Sequence, residues 1–563
     1  MGKNSIPRNP LDPSKLPVTL DLHAEVDKLL EPYDSPASPG CAVAVIKDGR
    51  IIYKRGYGMA DLEHDVPIRP DSVFHIASHS KQFTAAAIVL LLHDGKLSLD
   101  DDARKYVPEL PDFGTPITIR HLVHHTSGLC DQWALLSLAG WRYSLDLITD
   151  QDVLDVMCAQ KALNFKPGAE YRYSNTGYTL LAQIVKRASG TSFRAFTTER
   201  IFKPLGMNHT HFRDDHAEIV KNIAYGYIRE KSEDEFRLSI PHFDTVGATS
   251  LLTTVEDLAL WDQNFYEPKV GGPAMVRQMM ERGRLNNGKE TDYSFGLVHG
   301  TYRGETTIFH GGADAGYRAD VVRFPGQRFS VACLCNMAEM QPWQLCRKVA
   351  DIYLASKLME PERAVPGVSA STVHLTEQEL AAFAGLYWSD EEQCDRRVDF
   401  KEGKLSLSFD STERYDMQPV AQNRFRLEGY ACEIEFRRGK AEDPLMLALS
   451  FEGGGQEQLL RGEPEFKPTP EQLSEYVGVY RGEEIEPVCR ITVEDGALVL
   501  RRLKYPPVSL EPKILDNFSC PCGSIHFKAD LRFVFFRDSQ GRVTGFVVNF
   551  GSSQGNRFKK SAH

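Results

Sequence analysis

The chain has 563 residues, of which 42% are hydrophobic and 25% charged, and its formal net charge is −11. These proportions are typical of a globular protein and argue against a disordered or membrane-embedded chain. The acidic balance argues against a nucleic-acid partner. A chain of this length is too long for one core, so we expect several domains.

Targeting signals and cysteine usage indicate a compartment. The first residues lack the apolar segment of a signal peptide, and no apolar run is long enough to span a bilayer. The eleven cysteines show no paired metal-ligand spacing, and a Cys520–Cys522 disulfide would be strained across so short a span. Reduced, buried thiols are the default for this pattern. We therefore expect a cytoplasmic protein with no membrane partner and no metal.

The N-terminal elements are a helix and a hairpin. A helical pattern over Leu20–Leu30 is followed by two strand-like runs, Pro39–Ile46 and Arg50–Lys54. Asp48-Gly49 lies between the runs and predicts the hairpin turn. The most apolar segment of the chain comes next.

That segment predicts a helix from about Ser78 to Asp94, with Gly95 as its stop. Ser78 and Lys81 form the chain's one Ser-x-x-Lys pattern, and residues three apart share a helix face, so the hydroxyl and the amine can meet. A lysine in an apolar setting can be a neutral base for a serine. The helix N-terminus favours negative charge developing beside it. Ser78 and Lys81 are therefore the candidate nucleophile and base.

Polar residues of the middle region fall into two groups. His121, His124 and His125 lack an accompanying carboxylate cluster, so we interpret them as structural rather than as metal ligands. Tyr173 and Asn175 lie on a loop that leads into a periodic helix ending near Ser189, which we expect to begin at about Thr179. Polar side chains on such a loop can point into a cleft from a rigid support.

The end of this region is rich in strands. Thr307–Ala313 reads as a strand whose glycines let another backbone approach closely. Tyr317–Phe324 and Phe329–Asn336 predict a second hairpin, and a final helix is expected near Trp343–Lys357. Strands at both ends of the region, with helices between them, predict one sheet assembled from distant parts of the sequence.

A change of composition marks the C-terminal part. Pro361–Ser371 has no periodicity and predicts a linker. Beyond it, Leu380-x-x-Phe-x-Gly-x-Tyr387 recurs as Leu473-x-x-Tyr-x-Gly-x-Tyr480, each copy after a helix-entry signal. Two tandem β-barrels are the economical interpretation. The predicted domains are a catalytic domain over 1–365 and barrel modules over 372–465 and 466–563.

Three motifs lie in order along the chain: Ser78-x-x-Lys81, Tyr173-Ser-Asn175 and His310-Gly-Gly312. The set resembles the serine β-lactamase and penicillin-binding-protein superfamily. The Tyr-x-Asn form, with Leu122–Leu129 and Ile201–Met207, is similar to the class C branch, and the two added barrels resemble the plan of the bacterial D-aminopeptidases. The resemblance implies an α/β (α+β) catalytic domain, with an antiparallel sheet flanked by helices, followed by two all-β antiparallel barrels.

The resemblance also implies roles for individual residues. Ser78 attacks a carbonyl and becomes acylated, while Lys81 and Tyr173 share proton transfer, with Tyr173 as an anionic base held by Lys81. Asn175 binds the substrate's carbonyl or amide, and the backbone N–H groups of Ser78 and Ala313 form an oxyanion hole. Water then completes the hydrolysis, and no metal or organic cofactor is needed.

Position 310 departs from the pattern of this superfamily. Its antibiotic-hydrolysing and carboxypeptidase members usually carry a lysine there, whose fixed charge binds a substrate carboxylate. His310 is largely neutral at pH 7, although Gly312 keeps the close backbone approach. We therefore expect a substrate with an uncharged acyl acceptor: an amide, a peptide with an N-terminal D-residue, or an ester.

The expected function is a serine hydrolase that acts on amide or peptide bonds of a small molecule or short peptide, in the manner of a D-aminopeptidase. A carboxylesterase or weak β-lactamase using the same site is the alternative. A catalytically silent binding protein is a third hypothesis, which the intact motifs argue against. The sequence is also compatible with a homodimer. Asp516–Gly523 reads as an irregular loop of the last barrel, and we predict that it reaches the cleft.

Overall fold

A computed structural model describes residues 22–143, 145–229, 235–360, 375–390, 394–411, 414–428, 432–440, 443–451, 458–484, 487–522, 530–551 and 553–561. The predicted linker at 361–371 lies outside these residues, so the predicted domain boundaries stay predictions. Helices in the described part of the chain are α1 Leu22–Leu30, α2 Lys81–His93, α3 Ile119–Val123, α4 Gln132–Leu138, α5 Asp150–Cys158, α6 Asn175–Ser189, α7 Phe193–Thr197, α8 Lys203–Leu205, α9 Val255–Gln263, α10 Gly272–Met279, α11 Pro342–Tyr353, α12 Glu377–Ala381 and α13 Pro470–Glu475.

Antiparallel strands build the main sheet of the N-terminal region. Strands before the linker are β1 Cys41–Lys47, β2 Arg50–Tyr57, β3 Met59–Asp61, β4 Val66–Pro67, β5 Phe74–His75, β6 Ile148–Thr149, β7 His211–Phe212, β8 Tyr227–Arg229, β9 Phe236–Leu238, β10 Phe243–Asp244, β11 Leu251–Thr253, β12 Val298–Tyr302, β13 Glu305–Asp314, β14 Tyr317–Phe324 and β15 Phe329–Cys335. Six of them form one sheet in the order β12-β13-β14-β15-β1-β2. Cys41 pairs with Cys335, so the first strand joins the last. The prediction of one sheet from distant sequence is confirmed.

Helices cover both faces of this sheet. On one face, α1 and α11 pack with the sheet in a core that contains Val26 and Val349. The other face carries α2, whose residues from Lys81 to Leu91 are all buried. A helix that is apolar on every side can only be stable in the middle of a domain, which explains why α2 lies at the centre of this one. The α/β (α+β) fold class is thereby confirmed.

Two closed antiparallel barrels follow, as predicted. Strands of the first are β16 Gly385–Ser389, β17 Cys394–Lys401, β18 Lys404–Ser408, β19 Arg414–Ala421, β20 Arg424–Leu427, β21 Cys432–Arg437, β22 Met446–Phe451 and β23 Gln458–Glu463. Strands of the second are β24 Gly478–Gly482, β25 Val488–Glu494, β26 Ala497–Arg501, β27 Val508–Pro512, β28 Asn517–Pro521, β29 Asp530–Arg537, β30 Val543–Phe550 and β31 Ser553–Lys560. In both copies the repeat's tyrosine makes the same hydrogen bond to the carbonyl four residues earlier: Tyr387 donates to Phe383 O and Tyr480 donates to Tyr476 O, each at 2.7 Å.

The second barrel packs against the N-terminal region. Tyr505 donates a hydrogen bond to Trp141 O at 2.8 Å, and Lys504 pairs with Asp146 at 3.3 Å. The backbone N–H of Gln554 donates to Asn164 Oδ1 at 3.0 Å. These contacts fall on the loop after α4 and on the loop after α5.

The interpretation of Asp516–Gly523 as an irregular loop is wrong for most of the segment. Asn517–Pro521 is the regular strand β28, and the one proline is its last residue, where a missing N–H is tolerated. Gly523 lies outside the described residues. The contacts described above between the second barrel and the catalytic region come from other parts of that barrel.

Two further features concern the cysteines and the lengths of the helices. All eleven cysteines are free, and the sulfur atoms of Cys41, Cys333 and Cys335 lie within 4.8 Å of one another in the core between the sheet and α11, a grouping that sequence spacing did not reveal. No helix among the described residues is long and apolar enough to cross a membrane.

Candidate active site

Ser78 lies in a 3₁₀ turn, Ala77–Ser80, that joins β5 to α2. The preceding residue, Ala77, has φ +50°, a left-handed conformation that is strained for a residue with a side chain. The turn is fixed from the side of β11, because Leu251 N–H donates to Ser80 Oγ at 3.1 Å. Ser78 itself is partly exposed, whereas its neighbours Ala77 and His79 are buried. The turn therefore presents one hydroxyl to solvent from a rigid position.

Lys81 is completely buried and directed at that hydroxyl. Its Nζ donates to Ser78 Oγ at 3.0 Å, to Asn175 Oδ1 at 2.9 Å and to Ala248 O at 2.7 Å. Burial lowers the pKa of Lys81 from 10.5 to about 7, although the nearby charges of Asp131 and Asp314 act in the opposite direction. The free amine is therefore populated near neutral pH, as a base for Ser78 requires.

Tyr173 completes a trio with Ser78 and Lys81. Tyr173 and Ser78 line the same cleft, and Lys81 Nζ lies 4.8 Å from the centre of the Tyr173 ring. Burial raises the pKa of Tyr173 well above its ordinary value of 10. The phenol is therefore protonated at neutral pH, contrary to the tyrosinate expected from the resemblance, and Lys81 is the group whose basic form is accessible.

Asn175 is the first residue of α6, four residues earlier than the predicted start. Asp131 explains the difference: its Oδ2 accepts from the Asn175 N–H at 2.7 Å and from Asn175 Nδ2 at 2.9 Å. An acidic side chain satisfies a free donor of the first turn and complements the helix dipole. Sequence reasoning missed Asp131, whose only local signal is its place two residues after the Leu122–Leu129 motif.

Strand β13 forms the opposite side of the cleft. A Cβ on Gly312 would lie 2.2 Å from Ile76 O, whereas one on Gly311 would come no closer than 3.7 Å to Ala319 O. The prediction of a close backbone approach is therefore confirmed for Gly312. Ala313 follows on the exposed side of the strand and, with Ser78, lines the cleft.

His310 lies at the same strand but does not line the cleft. Its Nδ1 donates to Gly311 O at 2.6 Å, and its Nε2 accepts from the Tyr293 hydroxyl at 3.0 Å, an assignment fixed by the carbonyl's inability to donate. Burial, with a smaller effect of the Lys81 charge, lowers the pKa of His310 to about 3. The side chain is therefore neutral, buried and committed to Tyr293.

His125, one of the three histidines of the middle region, supports the active-site loop. His125 packs 4.3 Å from the Tyr173 ring, centre to centre, and its Nδ1 accepts the backbone N–H of Ser174 at 3.1 Å. Burial lowers the pKa of His125 well below 6.5. A neutral imidazole thus holds the loop that carries Tyr173.

A cavity of about 220 Å³ opens over Ser78. It is lined by Ser78, Trp133, Tyr143, Tyr173, Asn175, Thr249, Ala313, Asp314, Ala315 and Arg318. Sequence reasoning found the four members that belong to its motifs or follow one. It missed the other six, because no local pattern marks them: Trp133, Tyr143, Thr249, Asp314, Ala315 and Arg318.

Asp314 forms hydrogen bonds that connect different sides of the cavity. Its carboxylate accepts hydrogen bonds from Tyr143, from Thr249 at 2.7 Å and from His75 at 3.0 Å. Burial alone would raise the pKa of Asp314, but the hydrogen bonds, those from His75 and Tyr143 among them, hold it below its ordinary value. Asp314 is thus a fully engaged carboxylate that braces the cleft.

This fold and this arrangement of serine, lysine and tyrosine define a class of protein. The protein-family model described as Beta-lactamase matches residues 26–353, and the chain belongs to that family. The resemblance drawn from the motifs is confirmed.

Particular relatives share more than the matched region. Penicillin-binding protein 4* of Bacillus subtilis (strain 168) is 29% identical over 435 residues, which are 74% of this chain and 94% of that protein. A D-aminopeptidase of Brucella melitensis biotype 1 is 25% identical over 536 residues, which are 93% of this chain and 96% of that protein. Among solved structures, the octameric penicillin-binding protein homologue from Pyrococcus abyssi matches with a TM-score of 0.55 and 25% identity, over 78% of this chain and 99% of that one.

Proposed function

We propose that this protein is a serine hydrolase that cleaves amide bonds of short peptides or amino-acid amides through an acyl-enzyme. The Ser78 oxygen attacks the substrate's carbonyl carbon, and its proton passes to Lys81. The backbone N–H groups of Ser78 and Ala313 stabilise the resulting oxyanion. The C–N bond then breaks, the leaving amine takes its proton through Lys81 and Tyr173, and water hydrolyses the Ser78 ester by the same route in reverse.

The observation that carries this proposal is the position of Lys81, which is completely buried with its Nζ 3.0 Å from Ser78 Oγ. Burial brings the pKa of Lys81 to about 7 and keeps Tyr173 protonated, so the site holds a free base and a proton donor together at neutral pH. A binding protein that had lost its chemistry would have no need to keep a lysine completely buried beside a serine, because such burial destabilises the fold.

The kind of amide is proposed from the relatives. The match to a D-aminopeptidase spans 93% of this chain, including both barrels, and favours substrates with a D-residue on the acyl side. An esterase would use the same residues on a more reactive bond, so ester hydrolysis is expected as a companion activity.

The test is a panel of chromogenic substrates: D- and L-amino-acid p-nitroanilides, short acyl p-nitrophenyl esters and a chromogenic β-lactam. We expect D-amino-acid anilides to be cleaved faster than L-amino-acid anilides, esters to be cleaved as well, and β-lactams to be poor substrates. A fluorophosphonate probe should label Ser78.

Two variants control this experiment. Ser78→Ala should abolish both turnover and labelling, while Ser189→Ala, at the far end of α6, should retain both. Labelling that persists in Ser78→Ala would refute the nucleophile assignment. Hydrolysis of esters alone by the wild type would reduce the activity to that of an esterase.

A further inference from the structure

Arg318 places a cation in the cleft at a position that no motif marks. It lies on β14 directly opposite Ala313 of β13, and its side chain lines the cavity over Ser78. Residue 310, where related enzymes usually carry a lysine, is a neutral histidine and supplies no fixed positive charge. The neighbouring strand supplies one.

The hydrogen bonds of Arg318 leave one edge of its guanidinium available. Nη1 donates to Ala315 O at 3.0 Å and to Tyr317 O at 2.7 Å, which fixes the plane of the group. Neither Nε nor Nη2 donates a hydrogen bond to any residue that the structure describes. These two nitrogens present parallel N–H groups, the arrangement that binds a carboxylate in a bidentate manner.

The charges around Arg318 do not neutralise it. Asp314 and Glu339 are the acidic groups that act on it, and no carboxylate within the described residues comes within 4.0 Å of the guanidinium. The oxygens of Asp314 already accept from Tyr143, Thr249 and His75. Burial lowers the pKa of Arg318, but a guanidinium stays protonated in proteins. Part of the side chain faces the cleft, so a charge held there without an ion pair favours an anionic ligand.

The position along the strand indicates which part of the substrate meets Arg318. His310 is three residues before Ala313, which is about 10 Å along a strand, and the Tyr173 ring centre lies 6.3 Å from that of His310. In the proposed mechanism the leaving amine departs on the side of Tyr173. Arg318 pairs with Ala313 across the two strands, and its Nη1 donates to Ala315 O, two residues after Ala313 and on the side away from His310. The guanidinium therefore faces the acyl part.

We propose that Arg318 is a specificity-determining residue that binds a carboxylate on the acyl part of the substrate through Nε and Nη2. This inference rests on the proposed amide hydrolysis. It specifies that the acyl part of the substrate is acidic, as in an acidic D-residue or a dicarboxylic half-amide. The histidine at position 310 indicated only that the acyl acceptor is uncharged.

The experiment compares substrates that differ only in charge. D-glutamyl p-nitroanilide is paired with D-glutaminyl p-nitroanilide, and glutaryl p-nitroanilide with its terminal carboxamide. The wild type should prefer the acid of each pair by on the order of 10- to 100-fold in kcat/KM, the usual effect of a charge-assisted bidentate contact. Arg318→Met should lose this preference and retain turnover of the neutral member, and Arg318→Lys should keep only part of it.

A matched control and a second readout keep the outcomes separate. Arg284→Met removes an exposed arginine that pairs with Glu290 and should leave the preference unchanged. Protection of Ser78 from a fluorophosphonate by glutarate, compared with neutral glutaramide, measures anion binding without turnover. Stronger protection by glutarate in the wild type alone would support Arg318 even if no anilide is cleaved. Equal protection, or a preference that survives in Arg318→Met, would overturn the inference while leaving the proposed amide hydrolysis intact.

Discussion

The hydroxyl of Ser553 holds both backbone groups of Asp131, accepting from its N–H at 2.7 Å and donating to its carbonyl at 3.2 Å. Ser553 is the first residue of the last strand of the second barrel and is completely buried. Asp131 in turn binds Asn175, and Asn175 accepts from Lys81. A C-terminal residue is thus three hydrogen-bonded steps from the proposed base.

Ser553→Ala should therefore weaken catalysis from outside the cleft. The change leaves two buried backbone groups of Asp131 without this partner, which costs about 1–3 kcal/mol. We expect kcat to fall several-fold with little change in KM, measured on the best substrate of the panel. Ser509→Ala, on an exposed face of β27, is the matched control. A fall in Ser509→Ala equal to that in Ser553→Ala would point to a general loss of stability instead.

The pH dependence of activity should report Lys81. Because the free amine is the base and its pKa is about 7, kcat/KM for a neutral amide should rise with pH up to about 7 and then level off. At pH 5 the rate should be about 100-fold below the plateau, since the free fraction falls tenfold per pH unit. A profile that keeps rising to pH 10 would mean that Lys81 keeps its ordinary pKa.

The same lowered pKa predicts a pH-dependent stability. Below pH 7 Lys81 is charged in both states, and the full penalty of its burial applies. Between pH 7 and 10.5 the unfolded chain binds more protons than the folded one, so the stability of the wild type rises with pH. Lys81→Met should therefore be more stabilising at pH 6 than at pH 9, by about 3 kcal/mol in the free energy of unfolding by urea.

A surface lysine provides the control for this measurement. Lys203→Met removes an amine that is largely exposed and pairs with Glu199, so its effect should be nearly the same at both pH values. Equal effects of Lys81→Met at pH 6 and 9 would show that burial does not shift the Lys81 amine.

Replacing His310 should change the stability of the fold more than it changes the pH dependence of activity. His310→Ala leaves the buried Tyr293 hydroxyl without its acceptor, so the free energy of unfolding should fall by about 1–3 kcal/mol. Since the pKa of His310 is about 3, the activity profile between pH 5 and 8 should keep its shape in the variant. His64→Ala, at an exposed histidine beside Asp61, is the control. Loss of a pH-dependent step with His310 would show that the imidazole titrates in the working range.

Local patterns predicted the elements and the motif residues well. Ser78 and Lys81 could be found because a helix brings residues three apart onto one face. The strand pattern around Gly312 predicted a close backbone approach, although not that Ile76 makes it. The start of α6 was predicted late because the residue that caps it, Asp131, is 44 residues away from Asn175.

Residues that act across long distances in sequence could not be found in this way. Arg318 enters the cleft because β14 pairs with β13 in one register, and a shift by one residue would turn it to the other face. Ser553 meets Asp131 only because the second barrel docks on α4. Neither contact produces a spacing or a composition that could be recognised in a single sequence.

The order of the strands in the main sheet has a consequence for synthesis of the chain. Strand β1 pairs with β15, so the pairing of Cys41 with Cys335 cannot form until the ribosome has synthesised Cys335. At translation rates of 5–20 residues per second, this interval is roughly 15 to 60 s. During that time the β1–β2 hairpin exposes the edge of β1 that β15 covers in the folded protein. Each barrel also closes by pairing its first strand with its last, Leu386 with Glu463 and Tyr480 with Lys560, but within a much shorter stretch of chain. We therefore expect the N-terminal region to be the part of the nascent chain most exposed to aggregation.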